Sequence, residues 1–488
     1  MLAAYIYEKA DGEYESHILL FDMDGLDKKT AFTDFFHDKG FQVIYYEDDL
    51  HFRLEHDDAL YSDCGKYLII VTNECYIPYD ILRRFRSVHI SIQDLFPKLN
   101  ADVLKNTSHL DYDLLASAYS HNYYDLRGKD KTTEFVRENV YSKVNVKSYL
   151  EEKISEFRRM ADVAATYSDW ICIAEKKAEL DILAAKIGST IRYEEIQNRF
   201  AGFLFSSYKK LSGELNRNSP VLLSRAMEYI HDDSHRYGRF AVIVMDGMSE
   251  FDWQIFARGF WGITYQKTGV FAMIPTTTSI SRQCLLAGKF PGELLSPWNQ
   301  SKEDAEFRVC AESMGYRARE IAYNRGYEIN FGSSVKCAVF IVNDVDDALH
   351  AQQFGRAGML HDMEVLSDRG RLRALTKNLL AKGFDVYITA DHGNTPCVGI
   401  GKSPRTGVET ATKSRRMMVL KNIADKDLFC QKYGMIELPK VYLDKNYDYL
   451  VCKAGESFDI KGQNVMSHGG ITIDEVIVPF VKIKTEDN

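Results

Sequence analysis

Residues 385–394 read DVYITADHGN. A short apolar run at 386–388 ends abruptly in Asp391 and His392, and Gly393 then lets the backbone turn without a Cβ in the way. The run has the composition of a buried strand, which puts the carboxylate and the imidazole together at its C-terminal lip. In open α/β sheets that lip is where ligands bind. A capped strand end with a satisfied histidine fits the same ten residues, so the surrounding segments decide between the two.

Working outward, FAVIVM, GVFAMI, VKCAVFIV, DVYIT, RMMVL and EVIVPFVKI are short β-branched runs within residues 239–488. Segments with helical spacing, such as 363–381, separate them. Strands alternating with helices imply a mostly parallel sheet covered on both faces. The polar motifs fall at strand ends. Asp246 closes FAVIVM and precedes Gly247. PTTTS at 275–279 opens a predicted helix that stops at Gly288, so a threonine there sits at a helix N-terminus, where free N–H groups favour a phosphate. Alternation at a strand end puts Thr276 and Thr278 on one side and Thr277 on the other. Thr278, nearest the helix, is the expected nucleophile, with Thr276 and Thr277 as alternatives. In VNDVDDALH, Asp346 and His350 are four apart and share a helical face. SHGG places His468 beside two glycines just before the last strand.

Residues 1–105 alternate strand-like and helix-like pieces (HILLF, FQVIYY, KYLIIVT, VHISI) and read as a small α/β domain. Asp22 and Asp24 in LLFDMDG resemble the opening motif of haloacid-dehalogenase phosphatases, but Leu26 stands where that motif usually has Thr or Ser. A strand closed by an Asp-Gly turn is the preferred reading. Residues 106–238 carry apolar residues at helical spacing, for example Ile196, Phe200, Phe203 and Leu204, and read as a helical middle region without a catalytic constellation.

The chain has 488 residues, no apolar run long enough for a bilayer and acidic residues early in its N-terminus, so it is expected to be cytoplasmic and away from membranes. Nine scattered cysteines without a CxxC pair argue against a disulfide framework and a thiolate zinc site. A net charge of −9 argues against a general nucleic-acid coat.

Three Asp, three His and a Thr after strands suit one chemistry. Two divalent ions about 4 Å apart can clamp the attacking and leaving oxygens of an in-line displacement at phosphorus. Mixed imidazole and carboxylate ligands suit Zn²⁺ first, with Mn²⁺ as an alternative. Coordination gives a threonine hydroxyl the activation that a general base supplies elsewhere.

The pieces VMDGMSEFD, IPTTTSISRQCLLAGKFP, VNDVDDALH, ITADHGN and SHGGITIDEVIVPF, in this order, resemble the PglZ family of the alkaline phosphatase superfamily. The resemblance implies a catalytic domain at 239–488. It implies one metal held by Asp246, Thr278, Asp391 and His392, and a second held by Asp346, His350 and His468. On charge alone, Arg282, Lys413, Arg415 and Arg416 are looser candidates for substrate phosphate. The expected activity is that of a phosphoesterase, more specifically a phosphodiesterase for nucleotides or oligonucleotides. The expected setting is bacterial phage defence of the BREX type, with protein partners. The alternative is a binding partner in a defence complex whose metal site is structural or vestigial.

Overall fold

The computed structural model describes all residues except 1, 31, 63, 108–109, 122–123, 235–237, 402–413, 422–425 and 485–488. The chain forms two compact units, Met1–Glu151 and Glu152–Asn488. The boundary falls inside one long helix, Lys143–Val163.

In the N-terminal unit, β1 (His17–Asp22), β2 (Phe41–Tyr45), β3 (Lys66–Val71) and β4 (Arg86–Ile90) make a parallel sheet in the order β2-β3-β1-β4. Asp22 and Asp24 at the end of β1 both have structural partners. Asp22 accepts from the amides of Leu26 (2.9 Å) and Asp27 (2.7 Å), and Asp24 accepts from the amide of Ile92 (2.7 Å) and pairs with Lys105 (2.6 Å). The turn after β1 accounts for the Asp22 carboxylate, and contacts remote in sequence account for that of Asp24.

The C-terminal unit continues with β5 (Phe240–Met245), β6 (Tyr265–Phe271), β7 (Ile321–Arg325), β8 (Cys337–Val342), β9 (Asp385–Thr389), β10 (Thr395–Gly399), β11 (Met417–Leu420), β12 (Ile436–Glu437), β13 (Asp448–Val451), β14 (Glu456–Ser457), β15 (Asn464–Ser467) and β16 (Ile477–Ile483). Six of these form the main sheet, ordered β6-β16-β9-β5-β8-β7. Strands β9, β5, β8 and β7 are mutually parallel, and β16 runs antiparallel to both β9 and β6. The C-terminal ends of β5, β6, β8 and β9 therefore share an edge with the N-terminal end of β16. Strands β5 and β8 are buried along their whole length, as expected for strands covered on both faces.

The described residues of 106–238, expected as a helical middle, carry helices and no named strand, and the boundary between the two units falls within them. Helices Tyr167–Lys186 and Glu194–Ser207 belong to the C-terminal unit and pack on its sheet. The Trp170 ring lies 5.0 Å from Phe200, which lies 6.3 Å from Phe271 on β6. The helical spacing at 363–381 resolves into two helices, Gly355–Asp368 and Arg371–Ala381. Between them Gly370 adopts φ 65°, a left-handed conformation that ends the first. Among the described residues no helix is long and apolar enough to cross a membrane.

Candidate metal centre

The shared sheet edge collects the polar residues. Asp246 directly follows β5, and Asp391 and His392 follow β9. Asp346 lies in the first turn of helix Asp344–Ala351, after β8, and His350 lies one turn later. Thr278 opens helix Thr278–Ala287, which Gly288 ends in a left-handed conformation (φ 64°). His468 follows β15. Strand β10 pairs antiparallel with β15, with Thr395 opposite Ser467, and this register brings the two histidine loops together. The His392 and His468 rings stack with centroids 4.2 Å apart. Gly247 has φ 75°, and a Cβ there would sit 3.7 Å from both Asp346 and His392, within the cradle these residues form.

Two groups result. One ligand atom each from Asp246, Asp391 and His392 lie within 4.8 Å of one another, and so do those of Asp346, His350 and His468. His392 Nε2 is 3.8 Å from Asp246 Oδ1 and 3.9 Å from Asp391 Oδ2. Asp346 Oδ1 is 3.4 Å from His350 Nε2 and 3.8 Å from His468 Nε2. His392 Nδ1 donates to the Gly393 carbonyl (3.0 Å) and His468 Nδ1 to the Thr276 carbonyl (3.1 Å), an assignment made from the acceptors. Each ring then turns a bare Nε2 inward, as a metal-ligating histidine does.

The residues fit a pair of divalent cations. Asp391 Oδ1 accepts from the amides of Gly247 (3.1 Å) and His392 (3.0 Å), but Asp391 Oδ2 and Asp346 Oδ1 are buried without any hydrogen-bond donor among the described residues. Buried carboxylate oxygens in that state are costly unless a cation faces them. Mixed oxygen and imidazole donors suit Zn²⁺ or Mn²⁺. The electrostatics agree. Burial, and then the nearby Asp246 charge, pushes Asp346 up to about 7 and raises Asp391 well above the carboxylate range. Burial and then His392 press His468 well below the usual imidazole value. The two carboxylate shifts express negative charge crowded into a dry site, which divalent cations relieve, and the His468 shift keeps that imidazole neutral and able to ligate.

The three threonines separate by contact. Thr278 Oγ1 lies 3.0 Å from His392 Nε2 and 3.4 Å from Asp246 Oδ1. Thr276 donates to the Gly470 carbonyl (2.7 Å) and accepts from the Gly469 amide (3.2 Å), tying it to the His468 loop. Thr277 is the N-cap residue of the helix. Thr276 and Thr278 do not share a destination, because the helix begins at Thr278 and strand alternation has already ended.

The arginines expected to meet substrate phosphate are ion-paired within the fold. Arg282 is buried and its guanidinium is taken by Asp246 and Glu303. Arg416 is buried against Glu475 (2.5 Å) and two backbone carbonyls, and the half-exposed Arg415 pairs with Asp459. Each is paired with a carboxylate distant in sequence, which charge alone does not show. Lys413 lies outside the described residues.

Several supporting residues were not foreseen. Ser281 donates to the Asp391 carbonyl, and Asn394 donates to the Gly247 carbonyl (2.9 Å) and to Asp252 (2.5 Å). Asn394 and Asp252 end the stretches ITADHGN and VMDGMSEFD, so their position was a usable signal. Glu303 lies in a polar segment that offers none.

A mostly parallel sheet with Asp, His and Thr side chains gathered at one edge defines an alkaline-phosphatase-like α/β domain. The BREX system PglZ alkaline phosphatase-like domain matches residues 227–483, more than half of the chain, and the chain belongs to the PglZ family. Solved structures similar to it include murine ectonucleotide pyrophosphatase/phosphodiesterase 5, with 11% identity and TM-score 0.37, covering 50% of this chain and 87% of that one. Another is phosphonoacetate hydrolase from Sinorhizobium meliloti 1021 in complex with phosphonoacetate, with 12% identity and TM-score 0.30, covering 50% and 89%. No curated protein matched the chain.

Proposed function

We propose that this chain is a metal-dependent phosphoesterase, specifically a phosphodiesterase acting on nucleotides or oligonucleotides, with Thr278 as nucleophile. One observation carries the reading: five segments remote in sequence bring Asp246, Thr278, Asp346, His350, Asp391, His392 and His468 to one sheet edge. Asp246, Asp391 and His392 would hold one divalent ion beside Thr278, and Asp346, His350 and His468 a second. Two such ions, Zn²⁺ first and Mn²⁺ in its place, supply Lewis-acid charge for the attacking and leaving oxygens of a displacement at phosphorus. Thr278, at the start of its helix, offers its hydroxyl where the helix N-terminus also favours phosphate. Its oxygen forms the bond to phosphorus as the ester alcohol leaves with a proton. Water then cleaves the phosphothreonine ester and restores the hydroxyl. The family description names the BREX system, and we place the chain in that setting, bacterial phage defence, acting in the cytoplasm with protein partners.

Purified protein is expected to hydrolyse bis-p-nitrophenyl phosphate with Zn²⁺ or Mn²⁺ and to stop on chelation, with Thr278→Ala inactive. Full metal-dependent turnover in Thr278→Ala removes the nucleophile assignment. Metal binding without hydrolysis of any phosphate ester would favour a vestigial site in a binding protein.

A further inference from the structure

We infer that Arg282 is a positioning residue for the first metal group: it fixes Asp246 so that a single oxygen faces the ion, and it sets the charge of that group. The inference rests on the two-metal reading above. Arg282 lies one turn after Thr278 on the same helix and is only 2% exposed. Its Nη1 donates to Asp246 Oδ2 at 2.5 Å and lies 3.8 Å from Asp391 Oδ2. The other side of the guanidinium grips Glu303 with two bonds, Nε to Oε2 at 2.6 Å and Nη2 to Oε1 at 3.1 Å. Glu303 is also buried, and it accepts from the Tyr323 hydroxyl (3.0 Å) and from Arg325 Nη2 (2.5 Å).

The consequence follows from which oxygen is used. Asp246 Oδ1 is the atom near Thr278 and His392, whereas Oδ2 is spent on Arg282. Asp391 is arranged the same way by different means, since backbone amides occupy its Oδ1 and leave Oδ2 facing inward. Each aspartate therefore offers one oxygen to the first group. Arg282 also offsets one of that group's two carboxylate charges, and Arg325 offsets Glu303, so with every side chain ionised both groups carry one net negative charge. Without Arg282 the first group alone would carry two, with Asp246 free to rotate. Only a planar fork can grip Glu303 with one edge and reach Asp246 with the other; an ammonium donates from one point. Partners that orient metal ligands in this way are typically worth about 10–100-fold in affinity.

The test is a Zn²⁺ titration of the metal-stripped full chain against a competing chelating dye. The wild-type chain is expected to bind two equivalents. Arg282→Gln should weaken one equivalent by about 10–100-fold and leave the other unchanged. Arg282→Lys and Glu303→Gln should weaken the same equivalent by less. A general defect in folding would move both equivalents, so a loss confined to one identifies positioning. Two equivalents of wild-type affinity in Arg282→Gln, or equal weakening of both, overturn the inference. If Arg282→Gln does not fold, Glu303→Gln decides on the same criterion. Fewer than two equivalents in the wild-type chain overturn the two-metal reading and the inference with it.

Discussion

Gly393→Ala should disable the centre through a single methyl group. A Cβ at Gly393 would fall 1.9 Å from the backbone oxygen of Asp474 and 3.1 Å from the Cα of Ser249, whereas real Cβ contacts essentially never close below 3.0 Å. One segment must therefore shift by more than an ångström. The Asp474 segment is the better anchored. Asp474 is held by Lys177 at 2.7 Å, Arg356 at 3.1 Å and Thr395 at 3.3 Å, and the Gly393 amide donates to the neighbouring Glu475 carbonyl at 3.0 Å. The displacement therefore passes into the strand end that carries Asp391 and His392. Overpacking a core costs about 1–3 kcal/mol, and the obstacle here is backbone, which cannot rotate aside. A misplacement of about 1 Å costs on the order of 10²-fold in rate. Gly393→Ala is thus expected to lower kcat/KM for bis-p-nitrophenyl phosphate by about 10²-fold, to lose bound metal and to melt several degrees lower. Gly202→Ala is the matched control: it lies exposed inside helix Glu194–Ser207 with nothing within 4 Å of the new Cβ. It should stabilise the chain by about 0.5–1 kcal/mol and leave turnover unchanged. A Gly393→Ala protein with wild-type metal content, turnover and melting would refute the reasoning.

Three further outcomes are expected. Burial, and then the Asp246 charge, hold Asp346 at about 7 in the folded chain, above its ordinary value, so the folded state keeps a proton that the unfolded chain has lost. In metal-free protein the contribution of Asp346 to stability should therefore fall by a few kcal/mol as pH rises from about 4 to about 7 and no further above that. Melts of chelated wild type against Asp346→Asn would show this as a difference in slope, and identical slopes would count against it. Thr276→Val, which unties the Gly469 and Gly470 contacts, should reduce turnover through the His468 loop while Thr278 stays competent; activity equal to Thr278→Ala would instead exchange their roles. Asp22→Asn should leave phosphodiester hydrolysis untouched, and its abolition would revive the dehalogenase-like reading.

Much of the fold was legible because it rests on local pattern. Unbroken apolar runs such as FAVIVM and VKCAVFIV are what parallel strands buried on both faces require, and they became β5 and β8. The candidate site residues were legible for a related reason: Asp246, Asp391 and His392 stand where an apolar run stops, and Asp346 and His350 share a helical face. Pairings across the fold were not legible. Arg282 looked like a free cation until Glu303, 21 positions later, proved to share its pocket. For the helical middle, amphipathic spacing shows that a face is buried without showing what buries it. Here Phe200 packs on Trp170 of a neighbouring helix and on Phe271 of a strand.

The least local feature is the direction of β16. Asp246, Asp346 and Asp391 reach the site edge by leaving parallel strands at their C-terminal ends, and Thr278 follows β6, which runs the same way. His468 comes before its strand, so a parallel last strand would deliver it to the opposite edge of the sheet. The antiparallel course of β16, with Ile477 opposite Phe271 and Phe480 opposite Thr389, reverses that and brings the SHGG turn to the other ligands. The β10–β15 pair then sets the register, with Thr395 opposite Ser467. A one-residue slip there would reverse the faces of the paired side chains and carry the His468 loop out of place against His392. The second metal group therefore depends on strand pairing at 395–398 and 464–467 as much as on its own ligands.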